Sequence, residues 1–319
     1  MQLFFKFEPQ LKRVLWGGKK IARFKRLDIP HNDVGESWEI SGLTGHESIV
    51  TNGQMKGMSL RQVIALCGPQ IVGQVNYGKF GDEFPLLIKI IDAHDQLSIQ
   101  VHPNDDQAHS RGLISGKSEM WYVLQADPES TIISGFNRPT DRAEFEHLLA
   151  HGNIMSILAT HRSHAGDVFD LPARRIHSIG AGNLLVEIQE PSDITYRVFD
   201  FNRTDTNGNK RQLHTELAAD TIRFTDVVTG CNANVTSGNT VLLRSPKFRV
   251  CRQEISGSQA LTLPHDSFLT ATCISGYAEI AAHDGSQAIT IAQGESLLIA
   301  ACAKQVTITG EATLITASR

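Results

Sequence analysis

The sequence lacks the features that mark membrane-spanning and secreted proteins. No apolar run approaches the roughly 18 residues that a membrane-spanning helix needs. The first residues, Met1 to Lys6, contain no apolar core or cleavage site of a signal peptide. A net charge of −4 gives no general attraction to nucleic acid or to a membrane surface. We therefore expect a cytoplasmic protein that acts on a small molecule, with neither nucleic acid nor membrane as a partner.

Cysteine is scarce and scattered. The chain has five cysteines, an odd number, and none of them forms a C-x-x-C pair; they are Cys67, Cys231, Cys251, Cys273 and Cys302. This pattern favours reduced thiols over a disulfide framework. The G-x-S-x-G and Walker A motifs are also absent, which argues against a serine hydrolase and a P-loop enzyme.

The most informative stretch is an alternating run at residues 97–103. Apolar side chains alternate there with Ser98, Gln100 and His102, and Pro103 ends the run. Because successive side chains of a strand point to opposite faces, these three polar groups are expected to share one face.

A second polar pair follows at Lys117 and Glu119, which share a face of a β-rich segment. Met120 and Tyr122 occupy the other face. If this segment neighbours the run at 97–103, the two sets of polar groups converge on one concave surface. A histidine and a glutamate on such a surface predict part of a metal-binding site.

The second histidine of this centre is predicted at His177. Gly166, Pro172 and His177 have the spacing G-x5-P-x4-H, which matches the second cupin motif except that Arg174 replaces a glycine. In the first cupin motif a histidine and a glutamate lie on successive strands. Here the corresponding segment is longer, so residues 104–116 are expected to loop out.

The expected ligand set is His102, Glu119 and His177, with Gln100 as a possible fourth. Two imidazoles and a carboxylate suit Zn²⁺, and also Fe²⁺ or Mn²⁺. A divalent ion held by one carboxylate keeps net positive charge, which is useful for polarising a carbonyl.

These motifs predict a mainly β protein with two cupin-type jelly-roll barrels and a few helices in the N-terminal half. At 319 residues, with 41% hydrophobic and 20% charged residues, the chain is long enough for two domains. We place a metal-binding catalytic domain with helical insertions at 1–225. A cupin-like β domain without metal ligands is predicted at 226–319, where it would cover a sheet face.

Helices are predicted at 59–66, with Ser59 as N-cap, at 141–158, with a break near Gly152, and at 213–224. Residues 84–92 read as a buried strand that contains Lys89. A lysine in such a run either lies at an edge with its ammonium in water or is the buried cation of a site.

Several separated segments together resemble a known family. They are G-E-S-W-E-I-S at 35–41, Q-V-H-P at 100–103, G-K-S-E at 116–119, W-Y at 121–122, R-I-H at 175–177 and Y-R at 196–197. In this order they resemble the type I mannose-6-phosphate isomerases, and most closely their short bacterial form. The resemblance covers about residues 4–217 and continues more loosely through the C-terminal domain.

The resemblance implies one zinc ion per chain, with His102, Glu119 and His177 as ligands and Gln100 at the position that completes the sphere in the long forms. It implies that Arg197 is the active-site arginine. Lys117 and Glu187 match polar residues that line the sugar-phosphate pocket.

The activity implied is the interconversion of mannose 6-phosphate and fructose 6-phosphate, an aldose–ketose isomerisation through an enediolate. Arg197 would stabilise the enediolate or grip the phosphate, and Lys117 would bind phosphate or carry a proton. Ser98 would join them in binding substrate. Glu187 is the first candidate for the base. A monomer or a homodimer is expected.

Other interpretations stay open. The same ligands could serve another metal-dependent cupin enzyme, such as an iron oxygenase, or a non-catalytic sugar-phosphate-binding cupin. Arg197 could instead pair with Asp200, and Glu187 could be a solvated charge at a strand edge. Glu36 and Trp38 are expected in the barrel wall. The remaining histidines, His94, His109, His161, His164 and His214 among them, are expected to be structural or exposed.

Overall fold

The protein is mainly β, which confirms the expected fold class; the computed structural model describes residues 1–204 and 208–319. The strands are β1 (Phe4–Lys6), β2 (Gln10–Gly18), β3 (Val34–Ser41), β4 (Leu87–Ala93), β5 (Ile99–Val101), β6 (Glu119–Ala126), β7 (Thr131–Phe136), β8 (Leu158–Arg162), β9 (Asp167–Leu171), β10 (His177–Ile179), β11 (Asn183–Gln189), β12 (Tyr196–Phe199), β13 (Ala233–Asn234), β14 (Thr240–Arg244), β15 (Arg249–Thr262), β16 (Leu269–Ala282), β17 (Ala288–Ala292), β18 (Ser296–Ile299) and β19 (Gln305–Ser318). The helices are α1 (Lys20–Lys25), α2 (Leu60–Cys67), α3 (Pro69–Val72), α4 (Gln74–Phe80), α5 (Asp105–Ser110), α6 (Arg142–Ala150) and α7 (Thr215–Thr221), with short 3₁₀ turns at Ile154–Ile157 and Ala301–Ala303.

The strands form three antiparallel sheets. The large sheet has the order β13-β9-β6-β11-β4-β3-β2, and the small sheet has the order β12-β5-β10-β7-β8. The C-terminal sheet has the order β1-β18-β16-β19-β15-β14, with β17 also paired to β16. Because β1 pairs with β18, the N-terminal strand completes the sheet built by the C-terminal part of the chain.

The large sheet is the middle layer and is covered on both faces. In β11, Val186 and Ile188 pack in one apolar cluster with Phe248 and Leu298 of the C-terminal part. Leu185, on the opposite face of β11, packs in a second cluster toward the small sheet. Burial on both faces explains why the central strands read as nearly continuous apolar runs.

The helices begin where the capping residues predict. Ser59 caps α2 through a capping box with Gln62, and the helix ends at Gly68, whose φ is 54°. Asp141 caps α6, which ends before Gly152 as expected. The helix predicted at 213–224 is shorter and spans only Thr215–Thr221. None of the helices in the described part of the chain has the length and apolar character needed to cross a membrane.

The insertion at 104–116 is a short helix with a tight return. A capping box between Asn104 and Gln107 starts α5. The chain then folds back so closely that a Cβ on Gly116 would lie 2.6 Å from the carbonyl carbon of Asn104 and 2.7 Å from the oxygen of Pro103. This packing holds the segment that follows, with Lys117 and Glu119, beside the end of β5.

The packing between the N-terminal part and the C-terminal sheet predicts the effect of one truncation. The rings of Phe84 and Phe268 lie 4.7 Å apart between centroids, and both are fully buried. We expect Phe268→Ala to lower the free energy of unfolding by about 3–5 kcal/mol, because it leaves a cavity at this contact. Urea denaturation measures the change. Tyr277→Ala is the control, since that ring is 53% exposed, and its cost should stay below about 1 kcal/mol. Equal losses would contradict this assignment of the core.

Candidate active site

Three neighbouring strands of the small sheet place polar residues in one row. His177 of β10 lies opposite Gln100 of β5, and Gln100 lies opposite Arg197 of β12. Paired residues in an antiparallel sheet point to the same face. The three side chains therefore share the inner face of the small sheet, toward the large sheet.

Glu119 reaches the same space from the opposite side. It is the first residue of β6, and β6 belongs to the large sheet, whereas β5 belongs to the small sheet. The condition stated above, that these two segments are neighbouring strands, is therefore not met. The polar groups converge because the two sheets face each other. The alternation along each strand is the same in either arrangement, so it could not distinguish them.

His102, Glu119 and His177 form one compact, buried group. One ligand atom from each lies within 4.8 Å of the others. The Nε2 atom of His102 is 3.4 Å from Oε1 of Glu119, and Nε2 of His177 is 3.5 Å from Oε2. The side-chain amide nitrogen of Gln100 lies 3.4 Å from Nε2 of His177. The residues expected as metal ligands are thus brought together.

Backbone carbonyls orient both imidazoles. Nδ1 of His102 lies 2.7 Å from the carbonyl oxygen of Ile194, and Nδ1 of His177 lies 2.9 Å from that of Arg175. A carbonyl oxygen can only accept a hydrogen bond, so each Nδ1 carries the proton. The lone pair of each ring is then on Nε2, which points into the group.

This group fits a divalent metal ion. Nε2 of His102 and both carboxylate oxygens of Glu119 are buried and have no hydrogen-bond partner in the part of the chain that the structure describes, a costly condition that a cation would relieve. Burial lowers the pKa of His102 well below its usual value and that of His177 to about 4, and the nearby Lys117 ammonium acts in the same direction. Both rings are therefore neutral at neutral pH, the form that binds metals.

A polar pocket of about 390 Å³ opens beside the group, a size suited to a small ligand. The expected site residues outside the three-ligand group all line this pocket: Ser98, Gln100, Lys117, Glu187 and Arg197. Further polar and aromatic residues line it as well: Trp16, Glu36, Lys89, Trp121, Asp193, Thr195, Arg211 and His214. Lys117 lies at the metal end, since its Nζ is 3.0 Å from Oε1 of Glu119.

Glu187 is fixed by two neighbours. The indole N–H of Trp121 donates to its Oε2 at 2.8 Å, and Nζ of Lys89 lies 3.2 Å from its Oε1. The carboxylate is buried within β11, so the interpretation as a solvated charge at a strand edge is wrong. Glu36 also approaches Lys89, at 3.6 Å, and receives the indole N–H of Trp38 at 2.6 Å.

Lys89 is a buried cation of the site, not an edge lysine. Its side chain is only 5% exposed. Burial alone would lower its pKa, but Glu36 and Glu187 outweigh this effect and hold the pKa above its ordinary value. The ammonium therefore stays charged and compensates two carboxylates that line the pocket.

Arg197 does not pair with Asp200, contrary to one of the interpretations above. Asp200 instead holds Arg203 and Arg211. One terminal nitrogen of Arg197 donates to the carbonyl of Gln212, while its Nε is buried and has no hydrogen-bond partner among residues 1–204 and 208–319. The guanidinium keeps its charge available to the pocket.

Two family models and several known proteins match this chain. Residues 4–136 match the model described as phosphomannose isomerase type I, catalytic domain, and residues 239–318 match that of the mannose-6-phosphate isomerase cupin domain. The mannose-6-phosphate isomerase of Streptococcus mutans is 34% identical over 92% of this chain and 90% of its own. The isomerase ManA of Bacillus subtilis is 34% identical over 86% and 85%. The crystal structure of a Bacillus subtilis mannose 6-phosphate isomerase superposes with a TM-score of 0.86 at 27% identity, covering 99% of both chains.

The chain belongs to the type I mannose-6-phosphate isomerase family. It is an enzyme of that class, an intramolecular oxidoreductase acting as an aldose–ketose isomerase. The match of residues 239–318 to the cupin model of the same family agrees with the looser resemblance of this part of the sequence.

Sequence reasoning missed several pocket residues of this isomerase. Glu36 was assigned to the barrel wall and His214 to structural or exposed histidines, yet both line the pocket. Nδ1 of His214 accepts a hydrogen bond from the backbone N–H of Arg197, and burial lowers the pKa of this imidazole. Asp193 and Arg211 carried no local signal. Lys89 and Glu187 did carry one, because a charged residue inside an apolar strand needs a buried partner.

The ligand assignment predicts the effect of removing the only carboxylate of the group. We expect Glu119→Gln to lower bound divalent metal well below the wild-type content after dialysis, because an amide oxygen carries no charge to offset the cation. Elemental analysis of the purified protein measures the content. Glu129→Gln is the control, since the Glu129 side chain is 84% exposed. Metal retained at the wild-type level in Glu119→Gln would show that the ion binds elsewhere.

Proposed function

We propose that this enzyme interconverts mannose 6-phosphate and fructose 6-phosphate through an enediolate, using one zinc ion per chain. His102, Glu119 and His177 are the proposed ligands, with Gln100 beside them. The observation that carries the proposal is the orphaned set of buried N and O atoms at the end of a polar pocket. Two neutral imidazoles and one carboxylate are a ligand set typical of catalytic zinc.

The chemistry requires a proton to leave C2 of the aldose and to arrive at C1, and it requires the hydroxyl proton on O2 to pass to O1. Negative charge is shared by O1 and O2 while the proton from C2 is away. Zinc, when bound, supplies a Lewis acid for those oxygens. The remaining requirements fall to side chains. One must move the proton, others must bind the anionic substrate, and the pocket must hold the sugar in place.

Glu187 is the proposed base. Its Oε2 accepts the indole N–H of Trp121, whereas its Oε1 has no hydrogen bond from any described residue and lies near Lys89 at the pocket. The adjacent ammonium offsets the negative charge of this buried carboxylate. Oε1 can therefore take the proton from C2 and return it to C1, and Trp121 limits rotation of the carboxylate between the two carbons.

Lys117 and Arg197 are proposed to bind the two negatively charged ends of the substrate, the reacting oxygens and the phosphate. Lys117 lies beside Glu119 and so stabilises negative charge on the reacting oxygens. Arg197 lies two strands from His177, roughly 10 Å between backbones, a position suited to the phosphate at the other end of the substrate. Its planar donor fork matches phosphate oxygens. The Ser98 hydroxyl, on the same inner face, is proposed to bind the sugar.

The metal requirement is tested by a coupled assay that follows fructose 6-phosphate formation from mannose 6-phosphate. We expect activity to disappear when the protein is stripped with a chelator and to return with one equivalent of Zn²⁺ per chain. Oxygen consumption is followed in parallel, because an iron oxygenase would consume oxygen. Full turnover by the metal-free protein would refute the zinc proposal, and binding of mannose 6-phosphate without turnover would indicate a sensor.

The role of Glu187 is tested by exchange of the C2 proton with solvent. We expect Glu187→Gln to slow this exchange by about 10²- to 10⁴-fold, the usual contribution of a positioned base. The neutral side chain preserves the shape of the site. Glu129→Gln, at an exposed position, should leave the rate unchanged. Exchange at the wild-type rate in Glu187→Gln would remove Glu187 as the base.

A further inference from the structure

The active-site segment at residues 116–119 is held through its backbone. It lies between α5 and β6 and carries both Lys117 and Glu119. The N–H of Gly116 donates to Oδ1 of Asp105 at 2.9 Å. The N–H of Ser118 donates to Oε2 of Glu190 at 3.0 Å. Two carboxylates therefore fix the peptides on either side of Lys117.

A single lysine from the C-terminal part binds both carboxylates. Lys247 lies in the turn between β14 and β15 of the C-terminal sheet. Its Nζ is 2.5 Å from Oδ2 of Asp105 and 2.7 Å from Oε1 of Glu190. Each carboxylate thus gives one oxygen to the active-site backbone and the other to Lys247. We call this arrangement, of Lys247, Asp105, Glu190 and the N–H groups of Gly116 and Ser118, the lysine clamp.

Charge makes the lysine clamp depend on the ammonium. Glu190 is 1% exposed and Lys247 is 24% exposed at the side chain. Burial would lower the pKa of Lys247, but hydrogen bonds to Asp105 and Glu190 raise it overall. Burial would raise the pKa of Asp105, but Lys247 and the Gly116 N–H lower it overall. The Arg319 guanidinium also interacts electrostatically with Glu190 and Asp105, but among the described residues Lys247 is the cation that hydrogen-bonds both carboxylates. Without its ammonium, two carboxylates would face each other, one of them buried, with only this more distant compensation.

We propose that Lys247 is a positioning residue of the active site, through which the C-terminal domain sets the placement of Lys117 and Glu119. Lys247 touches neither the metal group nor the pocket. It acts through Asp105 and Glu190 on the backbone of 116–119. The inference rests on the proposed function for the metal role of Glu119, whereas the backbone contacts themselves do not depend on it.

Further backbone hydrogen bonds restrict movement of residues 116–119. The N–H of Lys117 donates to the carbonyl of Pro103 at 3.0 Å, and the N–H of Glu190 donates to the carbonyl of Ser118 at 3.1 Å. The segment is therefore hydrogen-bonded to the residues that follow β5 and β11. A shift at Gly116 or Ser118 moves the Glu119 carboxylate relative to His102 and His177.

The test compares three variants of the full-length protein. Lys247→Met removes the charge and keeps the length of the side chain, and Lys247→Arg restores a cation. Lys304→Met is the matched control, because Lys304 is an exposed lysine of the same domain whose side chain makes no ion pair within the described residues. Zinc affinity is measured by competition with a chromogenic chelator at a temperature where every variant is folded.

Lys247→Met should weaken zinc binding by about 10-fold or more, in line with other substitutions that act through the supports of a ligand. The kcat/KM of Lys247→Met, measured at saturating zinc, should also fall. Most of this fall should come from a lower kcat, not from a higher KM. Lys247→Arg should recover most of both losses, and Lys304→Met should match the wild type. Hydrogen exchange at the amides of Gly116 and Ser118 should become faster in Lys247→Met alone.

A double-mutant cycle with Glu190→Gln separates positioning from general stability. Since both changes break the same lysine clamp, their effects on zinc affinity should be less than additive. If Lys247→Met does not fold, Glu190→Gln tests the same link, because it weakens the bond to the Ser118 N–H. Faster exchange at that amide with weaker zinc binding is then the expected result.

Two results would overturn the proposal. One is a lower melting temperature of Lys247→Met with unchanged zinc affinity, kcat/KM and amide exchange, which is the signature of a purely structural lysine. The other is strict additivity with Glu190→Gln. Failure of the proposed function is distinguishable, because the wild-type protein would then bind no zinc or be active without it, while the exchange measurement would still report on the lysine clamp.

Discussion

The active site depends on a small set of polar atoms that are buried between two sheets and make no hydrogen bond within the described residues, although Lys117 lies beside one of them. Nε2 of His102 and both oxygens of Glu119 make no hydrogen bond, and each such group costs about 1–3 kcal/mol when left unsatisfied. The fold holds them in place regardless. Carbonyls of Ile194 and Arg175 orient the imidazoles, and Glu119 begins a strand of the opposite sheet. These contacts keep the three side chains in positions that would hold a divalent ion.

The layered fold explains why these groups can be buried at all. The large sheet has an apolar face against the C-terminal sheet and a mixed face toward the small sheet. In β11, residues that face the C-terminal sheet are aliphatic, while Glu187 on the other face meets Lys89 and Trp121. Because successive side chains of a strand point to opposite faces, one face of β11 packs in the apolar core while the other carries a charged residue of the active site. The rigid outer packing leaves the inner face free to carry charged groups.

The group of His102, Glu119 and His177 could be predicted from the sequence, because the patterns that mark these residues lie in short, continuous segments. His102 ends an alternating strand, and His177 follows a recognisable glycine–proline spacing. The pocket residues were only partly accessible. Lys89 stood out in an apolar run, but its partners depend on strand pairing, and the roles of Glu36, Arg211 and His214 depend on how separate segments meet. The sequence also could not predict that β5 and β6 belong to different sheets. Side-chain alternation is the same whether two strands are neighbours in one sheet or face each other from two sheets. Contacts across layers carry no periodic signal.

The balance of charge around the pocket connects these observations to a phosphorylated substrate. Among the described residues, the pocket and the metal group together contain four acidic side chains and four basic ones: Glu36, Glu119, Glu187, Asp193, Lys89, Lys117, Arg197 and Arg211. Both metal-group histidines are neutral at neutral pH, since burial lowers their pKa values. The protein groups therefore nearly cancel, and a divalent ion leaves the site with two positive charges. A phosphate near neutral pH carries close to two negative charges. The metal-loaded site and a phosphorylated sugar are thus complementary in charge, which the metal-free site is not, so metal binding and substrate binding should favour each other electrostatically.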